Sequence, residues 1–189
     1  MTTLDALELA LLREDLAYHQ ARVLLLVDAV AAAPGHARKL DGLTKLAKLD
    51  FLVRYPAFAP VVLAGLDGAD SRLHLTEADT EAPAEVEAPM TRYKYGPWDD
   101  RYYAVIGALV GRGLLRYVPA RKGSVALAPT AEGRRLARAM SESAEWQQVS
   151  DRCWAVADAS SGLTGNALKA LIYERLAALM DRPHRQVIR

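Results

Sequence analysis

The chain has 189 residues, 51% of them hydrophobic and 25% charged, with a formal net charge of +1. That length supports one large or two small cores, and the charge balance argues against a surface coated throughout by nucleic acid. The single cysteine, Cys153, excludes a disulfide framework and fits a reducing compartment.

Residues 4–33 read as one long helix or two joined, with Leu12, Leu16, Val23, Val27 and Val30 at steps of three or four and Pro34-Gly35 as the stop. Its most apolar run, 23–33, is broken by Asp28 and is too short for a bilayer. With no basic-then-apolar leader at the start, a cytoplasmic protein without a membrane segment is expected. Asp41 is placed to cap a second helix over 42–55, ended by Pro56. Leu43, Leu46, Leu49, Phe51, Leu52 and Val53 form its broad apolar face. Lys45, Lys48 and Arg54 lie off that face, either as a solvated stripe or as a phosphate or partner contact. Asp50 and Arg54 are spaced for an intrahelical ion pair. A short apolar helix over 57–66 follows.

Composition then shifts. Residues 67–89 carry seven acidic side chains against Arg72 alone, with Pro83 and Pro89, and read as a mobile acidic insert.

The richest stretch is 90–133. Tyr93 and Tyr95 alternate along a short extended run that Gly96-Pro97 breaks. Pro97 suits the first turn of a helix over 98–112, with Asp99 and Asp100 near its positive end. Trp98, Tyr102, Val105, Ile106 and Leu109 fall on one arc of that helix. Gly111 and Gly113 end it. Leu115, Tyr117, Val125 and Leu127 alternate around Ala120-Arg121-Lys122-Gly123 as a β-hairpin, and Thr130 caps the next helix. Helical patterns follow over 131–143, 145–159 and 165–182, and a frayed tail is expected at 182–189.

The expected fold is therefore mostly α with a small β-hairpin: a winged-helix core with additional N- and C-terminal helices. Residues 1–143 would form the winged-helix domain with the acidic insert at about 67–89. Residues 144–189 would form a C-terminal helical extension.

No glycine-rich phosphate loop, HExxH, paired-cysteine site or serine elbow occurs, and the four histidines lack ligand spacing. No catalytic residue, cofactor or metal is assigned. Nor does the third helix offer a groove-reading face. Opposite its apolar arc lie Asp100, Ala104, Gly107, Ala108 and Gly111, where base reading needs Arg, Lys, Asn or Gln. Small residues spaced four apart instead allow another helix to approach closely, from a partner or from the chain's own C-terminal region. The candidate partner surface is Tyr93, Tyr95, Trp98, Arg101, Tyr103, Ala104, Gly107 and Gly111, since aromatics and arginine dominate interface energetics. Arg112, Arg116, Arg121 and Lys122 at the hairpin could hold nucleic-acid backbone without sequence preference.

Two stretches, residues 45–56 and 90–102 with its Tyr-Gly-Pro-Trp-Asp core, resemble the small middle component of ABC-three-component antiphage systems of the Lamassu type. The resemblance implies an accessory subunit without catalysis, working with an SMC-like ABC ATPase and a separate effector subunit. Residues 116–139 look like the wing and following helix of PadR- or MarR-type regulators. The alternative function is accordingly a homodimeric winged-helix DNA-binding transcriptional regulator.

Overall fold

The computed structural model describes residues 16–81, 90–94, 96–120, 124–181, 183 and 185–188. The fold is mostly helical with a small antiparallel sheet. Helix α1 (Leu16–Ala32) runs through the centre, with Val23, Leu24, Leu26, Val27 and Val30 buried. Strand β1 (Leu40–Asp41) leads into α2 (Leu43–Arg54). Gly42, not Asp41, occupies the cap position of α2, at φ 81°, and no side chain closes that end. A 3₁₀ turn (Pro56–Phe58) and the short α3 (Ala59–Val62) then return the chain toward the core.

The acidic stretch is not a free loop over its described part. A 3₁₀ turn (Ser71–Leu73) buries Leu73, and α4 (Glu77–Glu81) follows it. Thr76 and Asp79 form a reciprocal capping box: Thr76 N–H donates to Asp79 Oδ2 (2.9 Å), and Asp79 N–H donates to Thr76 Oγ1 (3.2 Å). The anchor is long-range. Arg152 Nε donates to the Leu73 carbonyl (2.7 Å), and Arg72 pairs with Asp158. The sequence shows the acidic excess but not these distant arginine and aspartate partners. Residues 82–89 of the expected insert lie outside the described residues.

The stretch after Met90 also differs from expectation. Pro97 does not open a helix. Strands β2 (Thr91–Tyr93) and β3 (Gly96–Trp98) pair antiparallel, with Arg92 opposite Pro97. Residues 185–188 lie along the other side of β2: Arg92 N–H donates to Gln186 O, and Arg185 N–H and Ile188 N–H donate to Arg92 O and Met90 O. β3 is thus an edge, where a proline's missing N–H costs no ladder bond. The expected fraying of the tail fails here because Ile188 is fully buried.

Helix α5 spans Tyr102–Gly111, four residues shorter at its start than the periodicity suggests, and Gly113 at φ 71° turns the chain out of it. Strands β4 (Leu115–Pro119) and β5 (Val125–Pro129) form the expected hairpin, and β1 joins β5 to give the order β1-β5-β4. Thr130 Oγ1 accepts the Gly133 N–H (3.0 Å) and caps α6 (Ala131–Ser141) as expected. Helices α7 (Gln147–Ala159), α8 (Gly165–Arg175) and α9 (Ala177–Met180) complete the chain. α7 packs along α1, and both α7 and α8 pack on α2. Cys153, Val156, Leu168 and Ile172 therefore share one hydrophobic core with Val27, Leu46, Phe51 and Ile106. Among the described residues, no helix is long and apolar enough to cross a membrane.

Candidate functional site

Helix α2 and the 96–102 segment are joined by a chain of charged side chains. Lys45, Lys48 and Arg54 are all buried, which overturns the solvated stripe, one of the two readings of that face. Asp50 is wholly inaccessible and accepts from three side chains: Arg22 Nε (2.7 Å), Arg54 Nε (2.9 Å) and the Tyr102 hydroxyl (2.6 Å). The expected Asp50–Arg54 pair exists, but it is one link of a longer chain. Arg54 Nη2 continues to Asp99 Oδ2 (2.8 Å), and Arg101 grips the same carboxylate through Nε (2.9 Å) and Nη2 (2.8 Å). At the other end Arg22 Nη2 donates to His19 Nδ1 (2.9 Å).

Burial alone would raise the Asp50 carboxyl, but Arg22 and Arg54 outweigh it and hold the group well below the usual carboxylate range. Asp99 is held low in the same way against its own burial, by Arg101 and Arg54. The Tyr102 hydroxyl is pushed up by burial and by the neighbouring Asp50 charge, so it stays protonated and donates. The network is structural. It ties α1, α2 and the start of α5 together and fixes how α5 presents its outer face.

That outer face is open. Tyr103 is 68% exposed, and Ala104, Gly107 and Gly111 are exposed with it. A Cβ at Gly107 or Gly111 would meet no atom within 4 Å. Of the two coverings expected for this face, the chain's own C-terminal region does not supply one among the described residues. Tyr93 is 41% exposed and packs toward Trp98 (ring centroids 6.0 Å apart), which in turn contacts Tyr103 (6.1 Å) and meets Tyr102 edge-on (5.4 Å). Trp98 Nε1 donates to Asp100 Oδ1 (3.1 Å). Tyr93, Trp98 and Tyr103 thus form one aromatic rim beside the small-residue face. Arg101 is half-buried and committed to Asp99, so its part is to hold the turn rather than to reach outward. Tyr95 lies outside the described residues.

The expected nucleic-acid contacts are only partly described. Arg116 is exposed on β4, and Arg112 is exposed and donates to Gln20 Oε1 (2.9 Å). Arg121 and Lys122, at the hairpin tip, lie outside the described residues.

Between α2 and the β2–β3 hairpin lies a cleft of about 380 Å³. Its walls are Leu43, Ala47, Pro97, Trp98 and Tyr103, and its polar lining includes Thr44, Lys48, Asp100 and Arg185. Sequence reasoning flagged Lys48 only as a possible phosphate or partner contact on a helix stripe. It missed the cleft because the opposite wall comes from a hairpin whose second strand it read as a helix start.

Comparison with known protein families, with curated proteins and with solved structures finds no match.

Proposed function

We propose that this chain is a non-catalytic accessory subunit with a winged-helix core, docking on an SMC-like ABC ATPase that works with a separate effector. The order α1-β1-α2-α5-β4-β5, with β1 closing a sheet of order β1-β5-β4, supports the winged-helix reading. In it α2 and α5 are the paired helices, β4–β5 is the wing, and residues 55–101 are inserted between the pair. The observation that carries the docking reading is the outer face of α5. Where a groove-reading helix would carry long polar side chains, this one exposes Tyr103, Ala104, Gly107 and Gly111 beside the Tyr93–Trp98 rim. Arg112 and Arg116 leave room for an auxiliary, sequence-indifferent contact with DNA backbone.

The ATPase as partner rests on the resemblance of residues 45–56 and 90–102. Those two stretches meet in the fold: Arg54 binds Asp99, and Tyr102 binds Asp50. They are one structural unit, as a shared docking module requires.

The test is recovery of the tagged protein from its native host at native expression level, with identification of co-purifying chains. An SMC-like ATPase is expected, and Gly107→Leu is expected to abolish its recovery while leaving the isolated protein at least as resistant to thermal unfolding. Recovery of the protein as a homodimer on one palindromic DNA site, with no ATPase, would replace this reading with the transcriptional regulator.

A further inference from the structure

The cleft between α2 and the β2–β3 hairpin, whose lining includes the Tyr93, Trp98 and Tyr103 rim itself, has the composition of a ligand site. Lys48 contributes to its lining and is only 1% exposed. Among the described residues its ammonium makes one hydrogen bond, to the Thr44 carbonyl (3.1 Å) in its own helix. A buried ammonium is ordinarily matched by a carboxylate. Among the described residues Lys48 has none, and the nearby charge that acts on it most is another cation, Lys169. Burial and that repulsion push the amine down to about 8, so at neutral pH it still carries its proton.

The rest of the cleft defines what would satisfy this charge. Within the lining, Lys48 and Arg185 outnumber Asp100, and Lys169 adds positive charge beyond it, so the cleft calls for an anion. The apolar lining comprises Trp98, Pro97, Leu43 and Ala47, with the Tyr93 and Tyr103 rings beside them. A volume of about 380 Å³ sits at the small end of ligand cavities, with room for a small ring-bearing ligand but not for a dinucleotide. We propose that this cleft binds a small planar organic monocarboxylate, its carboxylate on Lys48 and its ring between the Trp98–Tyr103 wall and the start of α2.

The test uses benzoate as probe and benzamide as its neutral isostere, followed by calorimetry and by NMR of the lysine amines. Benzoate should bind saturably and benzamide should not. Lys48→Met should weaken benzoate about ten- to hundredfold, the range expected for a charge-assisted hydrogen bond. In the unmodified protein, saturating benzoate should raise the titration midpoint of the Lys48 amine, which reports the contact even if the variant folds poorly. Equal binding of benzoate and benzamide, an unmoved Lys48 midpoint, or tighter binding of inorganic phosphate than of benzoate would each overturn the proposal.

Discussion

Asp50 has no access to water, yet it stays ionised because two guanidiniums and a phenol surround it. Such a centre is costly to assemble and more costly to break, since removing one member leaves the others buried without compensation. Asp50→Asn would take this carboxylate from Arg22 and leave Arg54 with Asp99, and a loss of about 3 kcal/mol in urea unfolding at neutral pH is expected. The pH dependence has a definite sign. The folded-state carboxyl lies below its ordinary value of 3.8, so the stabilisation is fully present above that value and is lost as pH falls toward the lowered one. Unfolding midpoints should therefore drop steeply below about pH 4. The Asn variant should show a shallower acid limb, with Asp99 still contributing. Identical acid limbs for the two proteins would mean that Asp50 is not the titrating centre. The sequence revealed only the i,i+4 half of this network. Arg22 and Asp99 are separated from Asp50 by 28 and 49 positions, and no local pattern joins them.

At the scale of elements, what could be read was what local periodicity controls. The arc of Tyr102, Val105, Ile106 and Leu109 is buried as its spacing requires, and the hairpin and the Thr130 cap stand where alternation and capping rules put them. What could not be read depended on distant partners. Gly96-Pro97 has the chemistry of a helix entry, but its pairing with β2, itself backed by residues 185–188, makes it an edge strand. Lys45, Lys48 and Arg54 look solvated because the elements that cover them lie far along the chain. Two glycines also separate local from tertiary causes. Gly107 faces open space in mid-helix, so Gly107→Ala should stabilise by about 0.5–1 kcal/mol through helix propensity alone. Gly133 is different. A Cβ there would overlap the Leu114 carbonyl, which already accepts the Thr130 N–H (3.0 Å) and cannot easily retreat. Gly133→Ala should cost about 3 kcal/mol or more. Chemical denaturation of both variants checks the pair, and a tolerated Gly133→Ala would mean that α6 can slide on β4.

For the whole molecule, the docking surface and the cleft both depend on the β2–β3 hairpin, and that hairpin is held by residues remote in sequence. Tyr55 Oη accepts the Met90 N–H (3.0 Å), Arg92 Nε donates to the Met180 carbonyl (3.0 Å), and residues 185–188 pair with β2. Ile188 is the apolar anchor of that last contact, fully buried in the common core. Ile188→Ala should remove the anchor while leaving the main-chain bonds geometrically possible. Global stability should fall by about 2 kcal/mol, the low end for a buried isoleucine, because the segment can open locally before the core does. Hydrogen exchange gives the decisive reading. The Arg92 amide, whose acceptor is the Gln186 carbonyl (2.8 Å), should exchange faster, while amides inside α2 keep their protection. Because Arg185 lines the cleft and Trp98 stands on the paired strand, the same variant should also weaken benzoate binding. Unchanged exchange at Arg92 would show that residues 185–188 stay paired with β2 without the Ile188 side chain, so that the main-chain bonds rather than Ile188 hold the segment.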